Sequence, residues 1–454
     1  MTTILDRPKS TPLPEPPAHP LWGHMRQAQA DPLGFHLSLG AYGPVVGYRA
    51  GLWPVIFVHH PEAVGHVLQA NYANYSKETF AYALVRRSLG DGLLTTDGEQ
   101  WLSRRRLMQP AFHRRRIEGL ATPMVAAAES ALARWQIGQP LEIASEMRRL
   151  TLDVVGRTLF GVNTLDQAEP IGAALATVLE QSLGQLRSRW MWLWGLLDTL
   201  TPGSRRFHSA RRELDQVVEA IIVRKRAQPQ AENDLLDLLL AARDEESGAA
   251  LSDEELRTEV LTLLVAGHET TALALTWAFI LLAQHPDVED RLRSELIQTL
   301  AGRTPTMADL TALPYLDQMV SEVLRLYPPV WGFSRRAIDA DKIMGHPIPA
   351  RSRVMISPYV THRHPDFWPD PDRFDPDRFT PNQAALLPRF AYFPFGGGPR
   401  QCIGNTFALT EIKLVLATLL PRLHLTLADN RPIETLAQAS LSPRYPIFMI
   451  PNQP

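Results

Sequence analysis

The amino-acid sequence predicts a mainly α-helical protein with a small β region, and three observations lead to this fold class. From about residue 115 to residue 330, apolar residues recur at helical spacing with only short breaks. Residues 42–48 and 53–58 are rich in β-branched and aromatic residues and meet around Gly51, which predicts a β-hairpin. Further strand-like runs follow the helical part of the chain, at residues 353–357, 423–427 and 447–450.

The remaining elements are predicted in chain order. Residues 1–20 are rich in proline and predict an extended arm, because proline fixes one backbone torsion and lacks an N–H donor. Residues 61–68 have helical spacing. Residues 365–388 form a proline-punctuated meander with little periodicity. No Ser/Gly linker or charge block divides the chain, so one domain over residues 1–454 is predicted.

The composition excludes several classes of protein. The 454 residues carry a formal net charge of −2, which argues against a basic nucleic-acid-binding surface. A single cysteine cannot form an intramolecular disulfide, and cysteine poverty is typical of a reducing compartment. The first residues lack a long apolar run and a small-residue cleavage site. We therefore expect a cytoplasmic monomer with no membrane span and no nucleic-acid partner.

One apolar stretch, residues 260–282, has the length of a membrane span. Glu269 lies near its centre, and a carboxylate in the middle of a bilayer is costly. Upstream, Ser252 and Glu255 have the spacing of a capping box, which marks the start of a helix. The stretch is therefore predicted to be part of a long helix buried inside the protein.

The only cysteine, Cys402, lies in a loop that contains four glycines and one arginine between Phe395 and Gly404. A free cysteine is usually a small buried apolar residue, and the alternative is a thiolate that binds a metal. The glycines favour the second interpretation, since a core position has no need of so permissive a backbone. One thiolate is too few for a Cys-rich zinc or iron–sulfur site, which leaves axial ligation of haem iron.

The pattern Phe395-x-x-Gly398-x-Arg400-x-Cys402-x-Gly404 resembles the haem-binding loop of cytochrome P-450 monooxygenases. The resemblance implies the cytochrome P-450 fold, a triangular helix-rich domain with a long central helix over the haem. It also implies haem b (iron protoporphyrin IX) as the cofactor and Cys402 as the iron ligand. Phe395, Arg400 and Gly404 are then cofactor-binding residues.

The centre of the predicted long helix carries a second motif, Ala266-Gly267-His268-Glu269-Thr270. Glycine inside a helix costs about 0.5–1 kcal/mol, so the motif is either a polar packing defect, with the threonine bonding back to the helix, or a functional site. It resembles the acid–alcohol pair of the same family. The resemblance implies that Gly267 and Ala266 let the helix open for dioxygen, and that Glu269 and Thr270 relay protons to it.

Glu322 and Arg325 stand three residues apart, on one face of a predicted helix. Such pairs are common on solvated surfaces and stabilise a protein little there. Together with Arg378 in the meander, they resemble the family's Glu-x-x-Arg motif and its meander arginine. This resemblance implies a buried structural brace for the haem loop.

Haem carries two propionates, and arginine suits the capture of carboxylates. The segment from Trp101 to Arg105 resembles the family's Trp-x-x-x-Arg helix, and Arg335 aligns with another propionate-binding arginine. Arg336 competes with Arg335 for this role, and Arg400 is the third candidate. Without the resemblance, each arginine would be taken as an ordinary surface residue.

Arginines and a histidine cluster at residues 104–106 and 113–116. The cluster is either an ordinary charged face or a docking patch for an acidic electron donor. The resemblance implies a ferredoxin or flavodoxin with its NAD(P)H reductase, because no flavin or nicotinamide domain is predicted in this chain.

The reaction implied is hydroxylation or epoxidation of a hydrophobic small molecule, such as a fatty acid, terpenoid or carotenoid, with dioxygen. The aromatic segment Trp190–Gly195 either lines the substrate pocket or packs in the core. Two alternatives stay open, a peroxide-driven peroxygenase and a haem-binding protein without turnover. Glu269 and Thr270 argue against the first, since peroxide chemistry needs no dioxygen protonation relay.

Overall fold

The computed structural model describes residues 13–161, 202–227, 234–243 and 250–453, with the single positions 172, 174, 177, 178 and 248. The predicted aromatic segment at residues 190–195 lies outside the described residues. The described helices, in chain order, are α1 (Met25–Ala30), α2 (Pro32–Leu39), α3 (Pro61–Gly65), α4 (Phe80–Leu89), α5 (Gly98–Met108), α6 (Arg114–Gly119), α7 (Ala121–Arg134), α8 (Ile143–Leu159), α9 (Pro202–Ala227), α10 (Leu235–Ala241), α11 (Asp253–Gln284), α12 (Pro286–Leu300), α13 (Pro314–Leu326), α14 (Pro358–Thr361), α15 (Pro381–Ala384) and α16 (Asn405–Leu419).

The described strands are short and belong to four sheets. They are β1 (Val45–Ala50), β2 (Trp53–Val58), β3 (Tyr75–Ser76), β4 (Leu141–Glu142), β5 (Phe333–Ala337), β6 (Asp341–Ile343), β7 (His346–Ile348), β8 (Arg353–Ile356), β9 (His424–Leu427), β10 (Thr435–Ala437), β11 (Leu441–Pro443) and β12 (Phe448–Asn452). The largest sheet has the order β1-β2-β8-β5-β3, and the others are β4-β12-β9, β10-β11 and β6-β7. The fold is therefore mainly α with a small β region, as predicted.

The described residues pack as two compact units. The first falls within Met1–Phe80, Trp331–Arg373 and Ala385–Cys402, and the second within Ala81–Val330, Phe374–Ala384 and Ile403–Pro454. The prediction of a single domain stays a prediction.

The first unit is built on the five-stranded sheet. The predicted hairpin is present, with β1 and β2 antiparallel and Gly51 at a φ of +66° in the turn. β2 pairs parallel to β8, and β5 pairs antiparallel to β8 and β3. The predicted helix at residues 61–68 begins at Pro61 as α3 and continues as a π-helical turn over His66–Ala70.

The second unit is helical and centres on α11. This helix begins with the predicted capping box, because the Ser252 side chain accepts from Glu255 N–H and the Glu255 carboxylate accepts from Ser252 N–H. It packs along α8 and also contacts α9, α13 and α16. The fold thus places the Glu269–Thr270 motif in the middle of a helix with long buried stretches.

Helix α11 is also, among the described residues, the one helix long and apolar enough to cross a membrane. Of its most apolar 18-residue window, 78% is buried inside the structure. Burial of this extent identifies a core helix, as the sequence predicted.

Candidate active site

The loop that carries Cys402 is closed by backbone hydrogen bonds. Cys402 N–H donates to the carbonyl oxygen of Phe395 at 3.0 Å, and a 3-10 turn spans Gly398–Arg400. Gly396 and Gly398 have φ values of +69° and +66°, in the left-handed region that other residues rarely adopt. Cys402 is exposed, so it is not the small buried apolar residue of the alternative interpretation.

The loop rests on residues 66–76 of the same unit. A side chain at Gly398 would collide with the carbonyl group of Leu68, so only glycine permits this approach. The Arg400 guanidinium donates to the backbone oxygen of Tyr75, and it lies 6.0 Å from the centre of the Tyr72 ring. Arg400 is therefore held by the backbone of this segment.

Arg335 is buried in β5, which pairs with β8 on one side and β3 on the other. Its guanidinium donates to the carbonyl of Ser334 at 2.9 Å and lies 4.9 Å from the Phe333 ring centre. Arg336, the competing candidate, is instead 3.6 Å from the exposed carboxylate of Glu78. The first unit thus contains Cys402, Phe395, Arg400 and Arg335. Of the adjacent residues Arg335 and Arg336, Arg335 is the buried one.

Trp101 and Arg105 lie in the second unit, one helical turn apart on α5, and Trp101 is buried. Gly404 directly precedes α16 as its N-terminal cap residue. The structure therefore puts the predicted tryptophan and arginine on one face of a helix.

The prediction that Arg104 belongs to an exposed basic cluster is wrong. Arg104 is only 4% exposed and donates to Glu259 of α11 at 2.7 Å. Glu259 is fully buried and also accepts from Leu93 N–H at 2.9 Å. Burial raises the pKa of Glu259, opposed by the hydrogen bonds from Leu93 and Arg104. Arg104 lies on the buried face of α5 together with Trp101. Its partner, Glu259, is 155 residues away in the sequence.

Arg105 and Arg106 are half-buried, and the second half of the basic cluster is exposed. His113, Arg114, Arg115 and Arg116 all face solvent around the start of α6. Arg114 forms an exposed ion pair with Glu118, one turn later, at 3.3 Å.

The motif from Ala266 to Thr270 lies within continuous helix in α11, so the predicted opening of the helix at Gly267 is not present. The Thr270 hydroxyl donates to the carbonyl oxygen of Ala266 at 2.7 Å, a bond of the kind that bends helices. A side chain at Gly267 would be in ordinary contact with Val155 of α8, 3.5 Å away. Ala266 is exposed, and Gly267 and Thr270 are half-buried.

Glu269 has a partner that the sequence did not suggest. Its Oε2 lies 3.5 Å from Nε of Arg148 on α8, and the Glu269 side chain is 22% exposed. Burial raises the pKa of Glu269, and the positive charge of Arg148 opposes this rise. Burial, together with the positive charge of Arg148, lowers the pKa of the neighbouring His268 to about 4. Burial thus has the largest effect on the protonation of the motif, and an arginine on α8 modifies that effect.

Glu322, Arg325 and Arg378 lie together in the second unit. The Arg325 guanidinium donates to both carboxylate oxygens of Glu322, at 2.6 and 2.8 Å, and both side chains are fully buried. Arg378 Nε lies 3.5 Å from Glu322, which also accepts from Asp375 N–H at 2.9 Å. Burial raises the pKa of Glu322, and Arg325 and the other donors oppose it. The arrangement is a buried network that joins α13 to the meander, and it is not a surface ion pair.

Comparison with known proteins agrees with this fold and these motifs. The family model for cytochrome P450 matches residues 13–450. In structure, the chain resembles the crystal structure of the cytochrome P450DA heme domain, with a TM-score of 0.88, 28% identity and coverage of 98% of each chain. The helix-rich fold and cysteine loop are those of a haem-thiolate protein, and the chain belongs to the cytochrome P450 family.

Two curated relatives come from Streptomyces melanosporofaciens. Cyclooctatin synthase is 39% identical over 95% of this chain and 94% of the relative. Cyclooctat-9-en-7-ol 5-monooxygenase is 36% identical over 90% of this chain and 88% of the relative. The family and these relatives identify the chain as an oxidoreductase of the monooxygenase type.

The family implies a haem-thiolate cofactor, and the residues present fit one. The first unit provides an exposed thiol on a constrained loop and two arginines, Arg335 and Arg400, that suit carboxylates. Among the described residues, no cluster of histidine, cysteine and acidic side chains could hold another metal ion.

Proposed function

We propose that the protein binds haem b through Cys402 and inserts one atom of dioxygen into a hydrophobic small molecule. The observation that carries this proposal is the exposed cysteine on a loop held by Gly396, Gly398 and the Phe395 carbonyl. When haem is bound, the thiolate would donate electron density to the iron, and the cofactor would supply the oxygen chemistry. The remaining residues bind, orient and handle protons.

Arg335, Arg400, Trp101 and Arg105 are proposed to bind the haem propionates. Two observations support the assignments of Arg400 and Arg335, since Arg400 is held by the Tyr75 carbonyl and Arg335 is buried in β5, which has a neighbouring strand on each side. Sequence resemblance alone assigns Trp101, Arg105 and Gly404 to the cofactor. Glu322, Arg325 and Arg378 are proposed to brace the haem loop from a buried network.

Glu269 and Thr270 are proposed to deliver protons to dioxygen. A general acid is most effective when its pKa approaches the working pH, and burial moves the pKa of Glu269 in that direction. The Thr270 hydroxyl donates to Ala266 at 2.7 Å and can also accept a hydrogen bond. Gly267 keeps this surface of the helix free of a side chain.

A terpenoid is the proposed substrate class. One relative is named for the oxidation of cyclooctat-9-en-7-ol, and the relatives as a group include terpenoid-oxidising enzymes. A spectral titration with terpenoids, fatty acids, carotenoids and steroids tests the class, since an apolar ligand that displaces water from the iron changes the haem spectrum. Terpenoids should give the largest change, and a response to fatty acids alone would redirect the assignment.

The electron donor is proposed to be an acidic ferredoxin or flavodoxin, served by an NAD(P)H reductase. The exposed His113 and Arg114–Arg116 provide the complementary charge. The double variant Arg115→Glu/Arg116→Glu should slow reduction by the donor, most at low salt. The matched control is Arg205→Glu/Arg206→Glu, which reverses two exposed charges on α9. Equal rates in both variants would place the docking surface elsewhere.

The carbon monoxide difference spectrum of the reduced protein tests the central proposal. The native protein should give the red-shifted band of a thiolate-bound haem, and Cys402→Ala should lose it. Turnover with a ferredoxin and reductase, compared with hydrogen peroxide, separates a monooxygenase from a peroxygenase. A native protein that binds haem but lacks the thiolate band would overturn the assignment.

A cytoplasmic monomer is proposed, and gel filtration and cell fractionation test it.

A further inference from the structure

One carboxylate organises the segment that supports the cysteine loop. Asp341 Oδ2 accepts hydrogen bonds from the Tyr75 hydroxyl at 2.6 Å, His66 Nε2 at 2.8 Å and Asn71 Nδ2 at 3.0 Å. Its second oxygen accepts from Lys342 N–H at 2.7 Å. The Asp341 side chain is only 12% exposed, so these bonds lie in a largely desolvated setting where they are strong.

Tyr75 connects this carboxylate to Arg400 directly and to the strand of Arg335 through strand pairing. Its side chain is fully buried, and its backbone oxygen accepts from the Arg400 guanidinium. Tyr75 and Ser76 also form β3, which pairs with the strand that carries Arg335. The hydroxyl end of Tyr75 is thus fixed by Asp341, while its backbone oxygen bonds to Arg400 and its strand pairs with the strand of Arg335.

The π-helical turn His66–Ala70 belongs to the same support. Asn71 N–H donates to the carbonyl of His66, five residues earlier, at 2.9 Å. Such turns are rare and occur frequently at functional sites. The residues at its two ends, His66 and Asn71, both bond to Asp341, and the carbonyl of Leu68 in its centre lies against Gly398.

We propose that Tyr75, anchored by Asp341, is a positioning residue for the haem-binding face of the first unit. Tyr75 fixes the position of Arg400 and of the segment 66–76 that supports the Cys402 loop. This proposal rests on the proposed function, because Arg400 and Cys402 must bind haem. Tyr75 itself need not touch the cofactor. Its effect passes through the backbone oxygen that Arg400 uses and through the β3–β5 pairing.

The variant Tyr75→Phe tests this role, because it keeps the buried ring and removes only the donor to Asp341. The rate of haem release to an excess of apomyoglobin should rise about tenfold, the factor expected for one buried hydrogen bond of about 1.4 kcal/mol. Amide exchange in residues 66–76 of the holoprotein should also become faster. The reduction potential of the haem should shift, since the cationic Arg400 moves relative to the propionates.

Tyr48→Phe is the matched control. Tyr48 is a buried tyrosine of the same sheet whose hydroxyl lies 3.5 Å from His36, and it has no part in the cysteine loop. The control should lower the unfolding temperature without changing haem release or the potential. If both variants release haem at the same rate as each other, the positioning role is overturned.

Asp341→Asn is the second variant, and it decides the outcome if Tyr75→Phe does not fold. The substitution removes the negative charge and one of the two acceptor oxygens that four donors share, so haem release should be faster than in the native protein. Release at the native rate would overturn the proposal. A native protein that binds no haem would refute the proposed function, which distinguishes the two failures.

Discussion

Arg148 on α8 lies 3.5 Å from Glu269 on α11, between Nε and Oε2. The arginine side chain is 40% exposed, so solvent screens this pair and its contribution to stability is small. Its contribution to protonation is more specific, since the charge of Arg148 opposes the rise in the Glu269 pKa that burial causes. The pair therefore bears on proton delivery more than on folding.

Arg148→Gln should raise the pKa of Glu269 further, because burial then acts without an opposing charge. Glu269 loses its proton only above its pKa. The ratio of product formed to reductant consumed should therefore change at a higher pH than in the native protein. Arg148→Lys keeps the charge and should restore most of the native pH profile. Arg149→Gln, on the same helix, is the control, and a profile unchanged in Arg148→Gln would contradict the role of the pair.

Arg104→Gln should destabilise the protein strongly. It leaves Glu259 buried without its cation, and breaking a buried ion pair typically costs about 3–5 kcal/mol. The thermal unfolding midpoint measures the effect. Arg114→Gln removes an arginine from the exposed pair with Glu118 and should cost about 0–1 kcal/mol.

The double variant Arg104→Met/Glu259→Leu separates loss of the pair from burial of an unpaired charge. Hydrophobic replacement of both partners of a buried pair is often neutral or stabilising. The double variant should therefore unfold at a higher temperature than Arg104→Gln. An unfolding midpoint as low as that of Arg104→Gln would show that losing the hydrogen bond from Leu93 N–H costs as much as leaving Glu259 unpaired.

Arg325→Ala should cause a larger loss of stability than Arg378→Ala. Arg325 makes two short hydrogen bonds to Glu322 in a fully buried setting, whereas Arg378 is 3.5 Å away and partly exposed. We expect about 3–5 kcal/mol for Arg325→Ala, measured by denaturant unfolding. Both variants should retain less haem than Arg431→Ala, which breaks a surface pair with Asp429. Full haem retention in Arg325→Ala would contradict the brace.

The parts of this site that the sequence predicts are local. Phe395 to Gly404 can be recognised because its glycines, arginine and cysteine lie within one short segment, and the capping box at Ser252 is equally local. The partners of Arg104 and Tyr75 lie 155 and 266 residues away, at Glu259 and Asp341. No periodicity within α5 or β3 contains that information, because burial of a polar side chain depends on what another element offers it.

The same reason accounts for the missed strand β5. Its sequence, Phe333-Ser-Arg-Arg-Ala337, carries two adjacent charges and is not predicted as a strand, yet it lies between β8 and β3 in the sheet. At Gly267 the resemblance implied an opening of the helix, and α11 is continuous there. A single glycine permits a helix to open, but packing against Val155 does not require it to do so.

Glu411 on α16 is fully buried, and neither of its carboxylate oxygens has a hydrogen-bond partner among the described residues. Burial raises the pKa of Glu411 well above the ordinary value of 4.5, because desolvation disfavours the ionised form. The unfolded chain ionises Glu411 above a pH of about 4.5, which favours unfolding progressively as the pH rises toward the folded pKa. Glu411→Gln never ionises, so its unfolding midpoint should match that of the native protein at pH 4 and exceed it increasingly as the pH rises above about 4.5. A difference that is independent of pH, or a variant that loses stability as the pH rises, would mean that Glu411 is ionised and paired in the folded state.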